Sequence, residues 1–177
     1  METIAPSSVK DRILAVACDL FHRQGYNSTG INQIIFEARV AKASLYQHFK
    51  SKDDLCEAYL REKSQRWFDD FYRFAEKKSD KALATFDYQM VLNGKENFRG
   101  CPFINMASEI SPEKKALFKI IQDHKLRLQT VFNGSVDNPE LAYHIYALFE
   151  CATIESQLFQ SQEPIMRTKR LVSSMVF

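Results

Sequence analysis

Between Gly25 and Phe49 the chain stops one helix, restarts a second, stops again and restarts a third, and this crowding of punctuation limits the folds open to it. Gly25-Tyr26-Asn27-Ser28-Thr29-Gly30 supplies a helix stop and a restart. Ile31, Ile34, Ile35 and Ala38 then give one short amphipathic helix. After a tight turn at Arg39, the stretch from Ala41 to Lys52 reads as another short helix, anchored by Leu45 and Phe49 at i and i+4 with Val40 before them. Upstream, Ile13, Leu14, Ala17, Leu20 and Phe21 follow the helical repeat over about Val9 to Gln24 and can close a small core against Ile34, Val40, Leu45 and Phe49.

The third of these helices is too polar to be core. Lys42, Ala43, Ser44, Tyr46, Gln47 and His48 spread over the faces not taken by Leu45 and Phe49. Such a surface suits the major groove of DNA. Lys42 can reach a phosphate or a guanine, Ser44 and Gln47 can bond base edges, and Ala43 permits close approach. Tyr46, His48 and Lys52 fit contacts to backbone phosphate, and Arg39 in the turn can reach one as well. Taken alone, the stretch is equally an ordinary short surface helix.

With its flanks, the segment from about Val9 to Leu60 resembles the N-terminal domain of the TetR family of bacterial transcriptional regulators. The matching residues are Ile13-Leu14, Ala17, Leu20-Phe21, Gly25-Tyr26, Thr29, Ile34, Ala38, Val40, Leu45-Tyr46-Gln47-His48-Phe49, Ser51-Lys52 and Leu55, in that order. The resemblance implies a three-helix helix-turn-helix head whose third helix enters the major groove. It passes DNA contact by position to Lys42, Ala43, Ser44, Tyr46, His48 and Lys52, with Thr29 at the start of the second helix. The chain departs from the family pattern at Arg39 (commonly Gly), Ala41 (commonly a Ser cap) and Gly30 (commonly Ser or Thr). Each departure weakens a local device by about 1 kcal/mol, so a head less rigid before DNA binds is expected.

Charge is distributed to match. The protein as a whole carries only +2, yet residues 1–52 hold seven Lys and Arg against four acids. Contact with a polyanion is therefore expected of the head alone. Cys18, Cys56, Cys101 and Cys151 are scattered, with no C-x-x-C and no Cys/His cluster, so no metal, disulfide framework or cofactor is expected; a redox-sensing thiol at Cys101 or elsewhere stays open. No Gly-rich phosphate loop, H-E-x-x-H or G-x-S-x-G is present, and an enzyme is not expected. Residues 1–8 read as a loose arm with neither a basic start nor an apolar core, and no long apolar run follows, which points to a cytoplasmic protein.

Beyond the head every segment is helical in period, giving an all-α chain of about nine helices: residues 1–52 as DNA-binding domain and 53–177 as effector-binding and dimerisation domain. Ser51 with Asp53 and Asp54 caps a long fourth helix. Asn93-Gly94 reads as a stop, and Ser111-Pro112-Glu113 and Asn138-Pro139-Glu140 as starts. The resemblance further implies a small-molecule pocket among the middle helices, for which Trp67, Phe71, Phe86, Phe103, Asn105, Phe118, His124 and Tyr143 are candidates, each also readable as packing. It implies too that the last two helices pair with a second copy through Leu141, Ile145, Leu148, Phe149, Ala152, Leu171, Val172 and Met175, residues that could instead pack within one subunit. The expected function is a ligand-responsive repressor binding a palindromic operator as a homodimer. The alternative is a helical ligand-binding or interaction protein with a degenerate head.

Overall fold

The computed structural model describes residues 8–176, and the arm expected over residues 1–8 lies up to residue 7 outside them. Among the described residues there are nine α-helices and no strand. The first, α1 (Val9–Gln24), opens with a capping box: Asp11 N–H donates to Ser8 Oγ at 3.1 Å while the Asp11 carboxylate accepts from Ser8 N–H at 3.2 Å. It ends at Gly25, whose φ of +85° is open to glycine at no steric cost. Two short helices follow, α2 (Ile31–Ala38) and α3 (Lys42–His48). The long α4 (Lys52–Phe74) starts on Ser51, whose hydroxyl oxygen accepts from Asp54 N–H at 3.1 Å, while Lys50 N–H donates to the Asp54 carboxylate at 2.9 Å.

The remaining helices are α5 (Lys81–Glu96), α6 (Pro102–Glu109), α7 (Lys115–Asn133), α8 (Pro139–Phe159) and α9 (Glu163–Val176). Two start and stop signals act differently from their local reading. Asn93 does not end a helix: its buried amide is held from outside α5, where Nδ2 donates to Ser156 Oγ at 2.7 Å and to Gln162 Oε1 at 3.1 Å, and from within it, where Oδ1 accepts from Gln89 at 2.8 Å. The stop moves to Asn97, in the left-handed region at φ 49°. Likewise Ser111-Pro112-Glu113 forms a turn closed by Lys114 N–H on Ser111 O at 3.0 Å, and α7 begins only at Lys115. At the start of α8, by contrast, Asn138 caps Glu140 and Leu141 N–H at 3.0 and 3.1 Å, as expected.

The helices gather into two compact units that are not contiguous in sequence. One comprises the residues through Ser64 together with Phe103–Ile121; the other comprises Gln65–Pro102 and Gln122–Phe177. In the first, Ile13, Ala17, Leu20, Phe21, Ile34, Leu45 and Phe49 are buried as the apolar spacing selects, Leu14 and Val40, expected with them, are only half-buried, and Leu55, Phe103, Met106 and Leu117 join the core. In the second, Phe68, Phe71, Phe86, Phe132, Ile145, Phe149, Ile165 and Val172 form the core. Phe149 meets Phe86 edge-on at 5.3 Å and Phe132 at 5.7 Å, so three helices share one aromatic junction.

Candidate nucleic-acid interface

With Leu45 fully buried, α3 can turn only its other side outward. At 100° per residue, Lys42, Tyr46, Ala43 and Gln47 occupy an arc of roughly 140° opposite that anchor. All four are exposed, as is His48, while Ser44 is half-buried at the edge of the arc. The face is small, polar and cationic, the composition needed to enter a groove and bond base edges.

The turn that sets α3 against α2 is built without glycine. Arg39 stands at φ 52°, ψ 51°, and its N–H donates to Phe36 O while Val40 N–H reaches back to Ile35 O, both at 3.2 Å. This is a Schellman-type close with a residue that costs about 1 kcal/mol more than glycine there. The Arg39 side chain is left exposed. Gly30 and Ala41 cap α2 and α3 without any side-chain bond. The first-turn N–H groups of α2 thus receive no acceptor from the capping side chain.

Two expected DNA contacts are corrected. Thr29 is fully buried, and its hydroxyl donates to Gly25 O at 2.6 Å, so its side chain closes the loop between α1 and α2 instead of facing DNA. Lys52 also turns inward: Nζ donates to Tyr26 O at 3.0 Å and Thr29 O at 3.1 Å and lies 3.9 Å above the Tyr26 ring. Burial, helped by the Lys114 charge and opposed by Asp53, draws the Lys52 ammonium below the usual lysine range. A cation satisfied by two carbonyls and a ring is a brace within the head.

That brace belongs to a cluster for which the sequence holds no local signal. The Tyr26 hydroxyl donates to Asp53, which also takes both bonds of Lys114 at 2.8 and 2.6 Å. Burial pushes the Asp53 carboxyl up, but the bonds from Lys114 and Tyr26 outweigh it and hold the group below its ordinary value. The same bond to Asp53 raises Lys114. Beside it, Asn27 N–H donates to the Glu109 carboxylate at 2.8 Å and Asn27 Nδ2 to Glu109 O at 3.1 Å. A Cβ at Gly25 would stand 2.1 Å from Glu109 Oε1, so glycine there serves close approach as well as its positive φ.

The remaining candidates are dispersed. Phe103, Asn105 and Phe118 lie in the first unit, and Trp67, Phe71, Phe86, His124 and Tyr143 in the second. Phe71 and Phe86 are fully buried against other side chains, with Trp67 stacked on Phe71 at 5.2 Å and edge-on to His124 at 5.9 Å. Tyr143 is 55% exposed and walls no interior. An open groove of about 350 Å³ along α8 and α9 is lined by Leu148, Cys151, Glu155, Phe159 and Arg167 among others, and by none of the eight pocket candidates. Of the expected dimer contacts, Ile145, Phe149, Ala152 and Val172 are buried inside the chain and cannot meet a partner. Leu171 and Met175 are exposed, and Leu141 and Leu148 half-exposed. Sequence reasoning missed Ile154 and Leu158, exposed at 47% and 70%, which stand on the outside of α8 near Phe159, exposed at 62%. Ala147, Cys151, Ile154 and Leu158 follow the i, i+4, i+7, i+11 repeat, a signal hidden because α8 is apolar on its inner face too.

Residues 13–59 match the sequence model of the family described as bacterial regulatory proteins, tetR family. The HTH-type transcriptional regulator QacR of Staphylococcus aureus is 38% identical over 60 residues, 34% of this chain and 32% of QacR, so the match spans about a third of that relative. The negative transcriptional regulator IcaR of the biofilm operon icaADBC in Staphylococcus epidermidis is 25% identical over 133 residues, 72% of this chain and 67% of IcaR. A solved structure of a TetR-type regulator from Streptomyces avermitilis shares the fold, with a TM-score of 0.83 at 23% identity over 96% of this chain and 98% of that one. The helix-turn-helix of this chain, over residues 13–59, thus carries the signature of the tetR family of bacterial regulatory proteins, and nearly the whole chain shares the fold of such a regulator.

Proposed function

We propose that this protein is a sequence-specific DNA-binding transcriptional regulator that represses from a palindromic operator and is released by a small-molecule effector. The observation that carries the reading is the exposed arc of Lys42, Ala43, Tyr46 and Gln47 on a helix otherwise sealed by Leu45, within the segment that matches the family. Residues 1–52 read DNA. Lys42, Ala43, Ser44 and Gln47 meet base edges; Tyr46, His48 and Arg39 meet phosphates, aided by the N–H groups at the start of α2. Residues 53–177 bind the effector and a second copy, in the cytoplasm; among the described residues no helix is long and apolar enough to cross a membrane.

A two-fold dimer supplies two recognition helices about 34 Å apart, the spacing a palindrome requires. Its interface is the outward stripe of α8, Ile154 and Leu158 with half-exposed Leu148, joined by Leu171 and Met175 of α9. An effector that prefers a state with the heads differently spaced needs a coupling of only about 1–3 kcal/mol to empty the operator. Selection of bound sequences from a random DNA pool tests the reading. An enriched palindrome is expected, with affinity falling steeply as salt rises. No enrichment, and no retention at low salt, would leave a ligand-binding protein with a disabled head.

A further inference from the structure

Away from the DNA-reading face, Lys125 of α7 joins two other parts of the chain. Its Nζ donates to both oxygens of Glu150 in α8 at 2.7 and 2.6 Å, and to Cys101 Sγ at 3.3 Å. The Lys125 and Glu150 side chains are only 13% and 16% exposed, so this pair is fixed in place and weakly screened. Burial works against the Lys125 charge, yet Cys101 and Glu150 outweigh it, and the ammonium is held above the usual lysine range. An ammonium therefore stands in contact with a half-buried sulfur. Cys18 faces the Glu62 carboxylate at 3.7 Å, Cys56 is buried against Met106 with its thiol pushed up to about 12, and Cys151 is exposed on α8.

We propose that Cys101 is an oxidation site whose substrate class is hydroperoxide, with Lys125 as proton donor and Glu150 as the carboxylate that positions it. The sulfur attacks the nearer peroxide oxygen as its thiolate, the thiol proton having passed to solvent. An S–O bond forms and the O–O bond breaks; sulfur is oxidised by two electrons to the sulfenic acid, and the peroxide is reduced to water or an alcohol. The leaving oxygen takes its proton from Lys125, which regains one from solvent. A small peroxide suits a sulfur that is only partly exposed, with the donor ammonium 3.3 Å from that sulfur. Thiol reductants restore the site by way of a mixed disulfide. Cys101 directly precedes α6, whose last residue, Glu109, holds Asn27 of the head, so oxidation has a covalent route toward the DNA-reading unit. This regulatory consequence rests on the function proposed above.

The test uses the whole reduced protein, limiting hydrogen peroxide, a 1,3-dione that traps sulfenic acids, and peptide mass spectrometry. Cys101 is expected to be trapped at least about tenfold faster than Cys18, a thiol of like exposure that faces a carboxylate. The preference should vanish in Lys125→Met combined with Glu150→Gln, a pair chosen so that no carboxylate is left buried alone. Trapping of Cys18 first, or an unchanged Cys101 rate in the double variant, overturns the proposal. Should that variant not fold, the order of the two thiols in the natural chain decides alone. Peroxide is further expected to weaken operator binding about tenfold in the natural protein and to leave Cys101→Ser unaffected; equal responses overturn the regulatory consequence. A reduced protein that selects no DNA would instead defeat the function proposed above and leave the order of thiol trapping standing.

Discussion

Lys52 separates two accounts of the head, because each assigns its charge to a different partner. If it were a phosphate contact, Lys52→Met would leave the fold intact and lower the salt slope of DNA binding by about one. The geometry predicts the reverse. The ammonium is the donor to Tyr26 O and Thr29 O at 3.0 and 3.1 Å and stands 3.9 Å over the Tyr26 ring. Hydrogen bonds from a charged group are worth about 1.5–3 kcal/mol each, and a partly exposed cation over an aromatic ring about 0.5–1 kcal/mol. Some of this is regained, since water reaches the half-exposed site and the methionine stem still covers Tyr26. A net loss of about 2–3 kcal/mol is expected, which for a chain of 177 residues lowers the melting temperature by about 5–10 °C. Thermal unfolding followed by circular dichroism gives the first quantity, and fluorescence anisotropy on the selected operator at several salt concentrations gives the second. Lys42→Met, on the exposed arc, serves as the contrast: little change in melting, slope reduced by about one. A Lys52→Met protein that melts normally but loses one unit of slope would refute the reasoning.

Three further outcomes follow from groups already placed. Asp53→Asn should lower the melting temperature at neutral pH, and the gap from the natural protein should close in acid. The folded carboxyl titrates below its ordinary 3.8, so its contribution is complete above about pH 4 and is lost as pH falls through the folded value; a pH-independent gap would count against it. His124, drawn down to about 3 by burial and by the charges of Lys125 and Arg127, stays neutral in the fold while the unfolded chain takes up a proton below 6.5. Stability should fall from there toward pH 3 by up to about 1.4 kcal/mol per pH unit, and His124→Phe should remove that slope in paired denaturant titrations. Leu158→Glu, at a side chain 70% exposed, should leave the melting of the subunit near normal while splitting the dimer on a sizing column; a dimer that persists at micromolar concentration would move the interface elsewhere.

The parts of this molecule that could be read from sequence are those whose causes are local. Ser51 with Asp54 and Asn138 with Leu141 each cap within a few residues, and the head core follows the helical repeat, so those two helix starts and the sealed side of α3 were legible. The inner and outer faces of α8 were not, because Ile145 and Ile154 are the same residue type on the same helix. Only the helices packed beside them decide which one is buried. Thr29 and Lys52 were misread for a related reason. Their polar atoms look free until the chain folds back and presents the carbonyls of Gly25, Tyr26 and Thr29. The same contacts alter the meaning of the missing caps at Gly30 and Ala41, which locally predict a looser head. The loop leading into α2 is held by Thr29 on one side and by Lys52 on the other, and Asp53 with Lys114 fixes the Tyr26 ring between them. Rigidity here comes from residues distant in sequence. Uncapped N–H groups at the start of α2 therefore leave donors for phosphate without loosening the helix that carries them.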